Sequence, residues 1–118
     1  MKTFDEAKIV TSIVDFNEAG HKIIRRFDRD GILRTMEEFD KSGTLWRQQI
    51  YRKNGILKYS YYRDKNGNIG YSESYRKNGN LKREEYFDGN GMLRHKIILN
   101  NNDEFETSLY YDCDGNAI

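Results

Sequence analysis

FDKSGTLWRQQIYRKNGILKYSYYRDKNGNIGYSESYRKNGNLKREEYFDGNGML, residues Phe39 to Leu93, decides the fold. Glycines recur in it at intervals of twelve: Gly43, Gly55, Gly67, Gly79 and Gly91. The beat extends outward to Gly31 and Gly115, with Asp103 standing on the beat between Gly91 and Gly115. Four residues before the beat stands a ring or apolar side chain: Phe27, Phe39, Tyr51, Tyr75, Phe87, Leu99 or Tyr111. Two residues after it stands an apolar one, such as Leu33, Leu45, Leu57, Ile69, Leu81, Leu93 or Phe105. Arg63 breaks the pattern, with Tyr62 beside it.

A short fixed period marks a repeated supersecondary unit. Twelve residues accommodate one strand and one tight turn. Asp suits the first turn position because its carboxylate accepts nearby backbone N–H groups, and Gly suits the position that needs φ > 0. The intervening residues are rich in Tyr, Phe, Ile, Leu and Thr, which favour strands. The pattern predicts an all-β, strongly twisted antiparallel meander of about nine or ten strands in sequential order. A bulged turn that ends on Gly places Phe39 opposite Leu45, Tyr51 opposite Leu57 and Phe87 opposite Leu93. Continued without interruption, that register sets Glu37 against Arg47, Glu73 against Arg83, Glu85 against His95 and Tyr61 against Tyr71. Since twelve is even, it also places all odd-numbered residues from Phe27 onward on one face.

The 118 residues suggest one β-repeat domain, 1–118, with 1–20 a degenerate repeat and 21–118 regular. In the degenerate part Phe4 and Lys8 keep the beat, and a short helix over residues 4–9 is the competing reading. Gly20 and Gly31 are eleven apart, so a longer or bulged turn at Gly20–His21 is expected to restore parity. The phrase after Gly115 opens a strand without completing it, so the expectation is a piece of a longer protein or a sheet completed by a neighbouring chain.

Mean hydropathy is −0.95, polar for a packed core, but an aromatic content of 14% argues against disorder. The absence of Pro suits a sheet that needs every N–H. A net charge of +1 gives no pull toward nucleic acid or membrane. A single cysteine, Cys113, leaves no internal disulfide and fits a reducing, cytoplasmic location. No apolar run reaches membrane-spanning length.

Few residues suggest chemistry. DCDGN at Asp112 to Asn116 has the start of a calcium loop but lacks its Glu, and it reads as another turn, so no metal is expected. His21 and His95 are the two histidines, far apart and with no Cys beside either, and Glu85 as the expected partner of His95 makes it one half of a surface pair. There is no nucleophile–base set and no phosphate-binding glycine motif, so neither a cofactor nor an active site is expected. Tyr59, Tyr61 and Tyr71, flanked by Tyr51 and Tyr75, form the candidate binding platform for a polypeptide or glycopolymer, and Trp46 joins them from the even face. The ordinary alternative is that these rings form the apolar layer of a thin sheet. Arg52 and Lys53 share a sheet edge with Arg76 and Lys77, where phosphates would be met if the charge is more than a solvated turn. The odd face, centred on Leu57, Tyr59, Tyr61, Ile69, Tyr71 and Leu81, is expected to be covered by another copy or a protein partner.

The phrases FDKSGTL and YFDGNGML resemble the β-meander insert of Gram-positive accessory and wall-teichoic-acid glycosyltransferases. That resemblance spans roughly Val14 to Ile118. It implies a non-catalytic module for acceptor recognition or subunit association, attached to nucleotide-sugar domains that this chain lacks. YRKNGILK and YRKNGNLK are similar to YwqK-type antitoxins and MORN-like repeats, without the glycine motifs that link their hairpins. YD-repeat proteins share Tyr-Asp-x-x-Gly at longer periods.

Overall fold

A computed structural model of the chain describes residues 9–118. They form one nine-stranded sheet whose order is the order of the chain. The strands are β1 (Ile9–Phe16), β2 (Lys22–Asp28), β3 (Leu33–Phe39), β4 (Leu45–Tyr51), β5 (Leu57–Arg63), β6 (Ile69–Tyr75), β7 (Leu81–Phe87), β8 (Leu93–Leu99) and β9 (Phe105–Tyr110). Neighbours are antiparallel throughout, as the repeat predicts. Phe4, Lys8 and nearly all of the alternative helix fall outside the described residues, while Ile9 itself opens β1.

The turns follow from their residues. Asp40 N–H donates to the Thr44 carbonyl and Gly43 N–H to the Asp40 carbonyl, both at 2.9 Å. Asp40 Oδ1 accepts from the amides of Ser42 and Thr44. Asp28, Asp64, Asp88 and Asp112 repeat this arrangement. Each beat residue expected in the left-handed region lies there, from Gly31 (φ 79°) to Gly115 (φ 87°), including Asp103 at φ 64°.

The uninterrupted register does not survive beyond the first pair. Phe39 does face Leu45, but the next pair is Glu38 with Arg47, so Glu37 meets Gln48 instead. Likewise Tyr62, not Tyr61, faces Tyr71. Arg83 faces Ser74 rather than Glu73. His95 faces Tyr86, and Glu85 pairs with Lys96. The cause is a β-bulge just beyond each turn, where one residue has no opposite number. These residues are Arg34, Trp46, Lys58, Gly70, Lys82, Arg94 and Glu106. The bulge reverses parity once per repeat, so odd-numbered residues alternate between the two faces. Successive repeats are therefore related by a half-turn about an axis across the strands, and equivalent positions recur on the same face every second repeat, 24 residues apart.

The eleven-residue interval has the same explanation in reverse. Asn17 and Gly20 make the ordinary turn, with Asn17 N–H bonded to the His21 carbonyl at 3.0 Å. Phe16 pairs with Lys22, and the register then runs unbroken to Ser12 opposite Arg26 and Thr11 opposite Phe27. β2 lacks the bulge residue beside its turn, so no longer turn is needed.

The sheet is a single layer, and its apolar interior is correspondingly small. Among the described residues only Ile23 and Met36 are buried hydrophobics, whereas Ser60, Ser72 and Ser74 are buried near the middle of the sheet. Long side chains tie together turns two strands apart. Arg52 Nη2 donates to the Tyr75 carbonyl at 2.9 Å and Arg76 Nη2 to the Leu99 carbonyl at 2.7 Å. Asn68 and Asn80 reach the Gly89 and Asn101 carbonyls.

Two glycines separate backbone strain from steric room. A Cβ on Gly55 would meet nothing within 4 Å, yet its φ is 89°. Gly55→Val should therefore destabilise by about 1–3 kcal/mol through conformation alone. Gly70 is not at positive φ, and a Cβ there meets only the Tyr62 carbonyl at 3.9 Å. Gly70→Ala should leave the urea midpoint nearly unchanged; equal midpoints for the two variants would contradict the turn geometry.

Candidate functional site

Cross-strand partners share a face, and this assembles a row that the sequence does not display. Arg47, Tyr62, Tyr71, Tyr86, His95 and Tyr110 are paired in succession across β4 to β9. Trp46 joins them because it is the bulge residue beside Arg47. Ring centroids then step across the sheet: His21 to Trp46 6.1 Å, Trp46 to Tyr62 6.0 Å, Tyr62 to Tyr71 5.7 Å and Tyr71 to Tyr86 4.8 Å. Tyr86 to His95 is 5.6 Å, and His95 stacks on Tyr110 at 4.1 Å with planes 10° apart. At these spacings aromatic pairs attract.

The row is anchored at its β3 end by Glu38, whose side chain is only 5% exposed. Glu38 accepts from Arg47 Nε at 3.0 Å, from Asn17 Nδ2 at 3.1 Å and lies 2.8 Å from His21 Nδ1. Trp46 Nε1 also lies 3.2 Å from that histidine nitrogen. One nitrogen cannot both donate and accept through the same position, and the charge-assisted bond to the carboxylate is the stronger. Burial pushes the Glu38 carboxyl up, but bonds from His21, Arg47 and Trp46 and the Arg47 charge outweigh it and hold it below its ordinary range.

In the middle of the same face Glu73 stands directly opposite Glu84. Like charges so placed repel. Tyr71 lies between them, its hydroxyl 2.5 Å from Glu84 and 3.0 Å from Glu73, and Tyr75 donates to Glu73 at 2.8 Å. Burial, followed by these carboxylate bonds, pushes both phenols far above their ordinary value. They remain protonated donors.

The candidate platform is thus divided. Trp46 and Tyr71 belong to the ring row. Tyr51 and Tyr75 occupy the same face nearer the opposite turns, with Tyr51 bonded to Gln49 at 2.8 Å. Tyr59 and Tyr61 stack on each other at 5.8 Å on the other face, opposite Ser74 and Ser72. The expected odd face centred on Leu57, Tyr59, Tyr61, Ile69, Tyr71 and Leu81 is therefore not one surface; the bulges split it. Tyr62, Tyr86 and Tyr110 are row members that the repeat phrase does not single out. His21 joins the same row, and so does His95, which pairs with Tyr86 and not with Glu85. The 24-residue spacing from Tyr62 to Tyr86 to Tyr110 is visible in the chain but acquires meaning only with the bulge. Asp112 Oδ1 accepts from the amides of Asp114 and Asn116 at 2.9 Å, which gives DCDGN a turn role.

Tyr71→Phe should destabilise by about 1–3 kcal/mol at neutral pH, because it removes a donor shared by two opposed carboxylates. Chemical denaturation at neutral pH checks this, and an unchanged urea midpoint would contradict it. An acid dependence follows from Glu38, Asp28, Asp40, Asp88 and Asp112, all held below their ordinary values. For Asp40 the largest cause is the Ser42 side chain, and for Asp88 and Asp112 it is a backbone amide; for Asp28 and Glu38 burial opposes but is outweighed. Groups depressed in the folded state stabilise it above their unfolded values, about 4, and that stability is lost as pH falls through the folded values. The urea midpoint should fall between about pH 5 and about pH 2, and Glu38→Gln should flatten part of the fall.

Among the described residues no helix is long and apolar enough to cross a membrane. No protein-family model matches the chain, and no curated protein is similar to it in sequence.

Proposed function

We propose that the chain is a non-catalytic binding and association module. The observation that carries this reading is the open end of the ring row. Tyr110 is 52% exposed and Phe105 of β9 is exposed as well, while Leu109 is exposed on the opposite face. Ile9, Val10, Ile13, Val14 and Phe16 of β1 are exposed at the opposite edge. A single-layer sheet leaves such area in water, and contiguous apolar area beyond a few hundred Å² marks interfaces. The partner is a second copy or another protein, seated on the ring row rather than on an odd-numbered face. A continuous row of rings also suits a polypeptide or a glycopolymer acceptor, through stacking and phenolic donors.

The acceptor-recognition or oligomerisation role in a bacterial glycosyltransferase rests on the resemblance of FDKSGTL and YFDGNGML to that family's insert. A free-standing MORN-like or antitoxin-type interaction protein is the second reading. It is favoured by the YRKNG turns, whose Arg52 and Arg76 tie hairpins together as a repeat protein requires.

Sedimentation velocity over micromolar concentrations tests association. Wild type should shift to a larger species as concentration rises, and Tyr110→Glu should remain a folded monomer. A wild type that stays monomeric throughout would refute the association reading. Incubation with UDP-sugars and candidate acceptors should give no turnover. Turnover abolished by a point mutation in this chain would overturn the non-catalytic reading.

A further inference from the structure

On the face away from the ring row, at the end carrying the Gly55 and Gly79 turns, lies a cleft of about 660 Å³. Five cations line it: Arg34, Arg52, Lys53, Lys58 and Lys77. Ile50 supplies its apolar wall, Tyr51 borders it through its backbone, Asn54 completes it, and no carboxylate is among its described lining residues.

The repeat explains the convergence. Arg34 and Lys58 are bulge residues 24 apart, so they lie on the same face at the same end. Lys53 and Lys77 are turn residues 24 apart, two strands from each other, roughly 10 Å by strand spacing. Arg34 is the buried member, its side chain 10% exposed. Its Nε donates to the Tyr51 carbonyl at 3.1 Å, and Nη1 lies 3.5 Å from Asp28, the acid that faces it. Arg52 is fixed by the Tyr75 carbonyl, and its Nε is buried with no partner among the described residues. Lys58 Nζ lies 5.3 Å from the Tyr59 ring centre. Lys53 and Lys77 extend into solvent.

These turns also depart from the rule the chain follows elsewhere. Asp40, Asp64, Asp88 and Asp112 each accept two backbone amides at the first turn position. The Arg52 turn has no side-chain acceptor at that position, and Ile56 N–H donates instead to Asn54 Oδ1 two residues on. A local rule relaxed where like charges gather is the pattern of a binding site, since the gathered charge attracts an anion.

We infer that this cleft binds a small molecule bearing a phosphate group, the anion held by Arg34, Arg52, Lys53 and Lys77 beside Lys58, and the organic body lying against Ile50. Cavities of this size accept small molecules. Guanidinium forks and lysine ammonium groups match phosphate oxygens. The site is separate from the ring row and does not depend on association.

Amide NMR titration with phenyl phosphate and with inorganic phosphate tests the inference. Phenyl phosphate should give saturable shifts confined to residues 50–58 and the neighbourhoods of Arg34 and Lys77. It should bind more tightly than inorganic phosphate, which lacks the organic body. Lys53→Gln combined with Lys77→Gln alters two exposed side chains, so the fold should hold while affinity drops at least about tenfold. Unsaturable shifts, or equal shifts at Lys41, Lys65 and Lys96, would overturn the site as mere surface charge. Equal affinity for the two phosphates would overturn the organic ligand. Tighter binding of an oligo-dT strand, with a steep salt dependence, would replace a small molecule with a polynucleotide.

Discussion

Each hairpin from β2 to β9 inserts a residue without a cross-strand partner, and that insertion decides which side chains meet. A two-residue alternation with an even repeat would sort the chain into one odd and one even face. The bulge converts the effective period to an odd one. Trp46 thereby turns beside Arg47, Tyr62 meets Tyr71, and Arg34 and Lys58 gather at the basic cleft. The ring row and the cleft are consequences of one backbone irregularity, expressed at opposite ends and on opposite faces.

The sheet order, the strand spans and the positive-φ turns are legible in the chain because each depends on local residues. Asp40 and Gly43 act within five residues of chain, and their chemistry does not depend on what lies across the sheet. The bulge is not legible. Four of its seven residues are Arg or Lys, but Trp46, Gly70 and Glu106 stand there as well, so no one residue type marks the position. A bulge shifts register by one, and a shift of one exchanges faces. Hence an odd-face reading groups Tyr59 with Tyr71 although they lie on opposite sides, and omits Tyr86 although it touches Tyr71. The 24-residue recurrence of Tyr62, Tyr86 and Tyr110 is the available sign.

The architecture is stabilised along its length more than through its thickness. Few apolar side chains are buried, so the main source of stability in most folds is weak here. In its place come rungs between neighbours: backbone ladders, ring contacts, the Glu38 cluster and side chains that reach carbonyls two strands away. Each repeat contacts mainly the next, which makes the fold quasi-one-dimensional, and its stability approximates a sum over neighbours. Glu38 stands out in this setting because it joins three segments, through Asn17, His21 and Arg47.

The half-turn between successive repeats also governs how such a gene can change length. Excising or duplicating two consecutive repeats returns every later side chain to its original face and every later turn to its original end. Excising one repeat transposes both, so a ring destined for the aromatic row would emerge on the opposite surface. Replication slippage and unequal recombination should therefore be tolerated in steps of two repeats, and the number of strands in related sequences should preserve its parity.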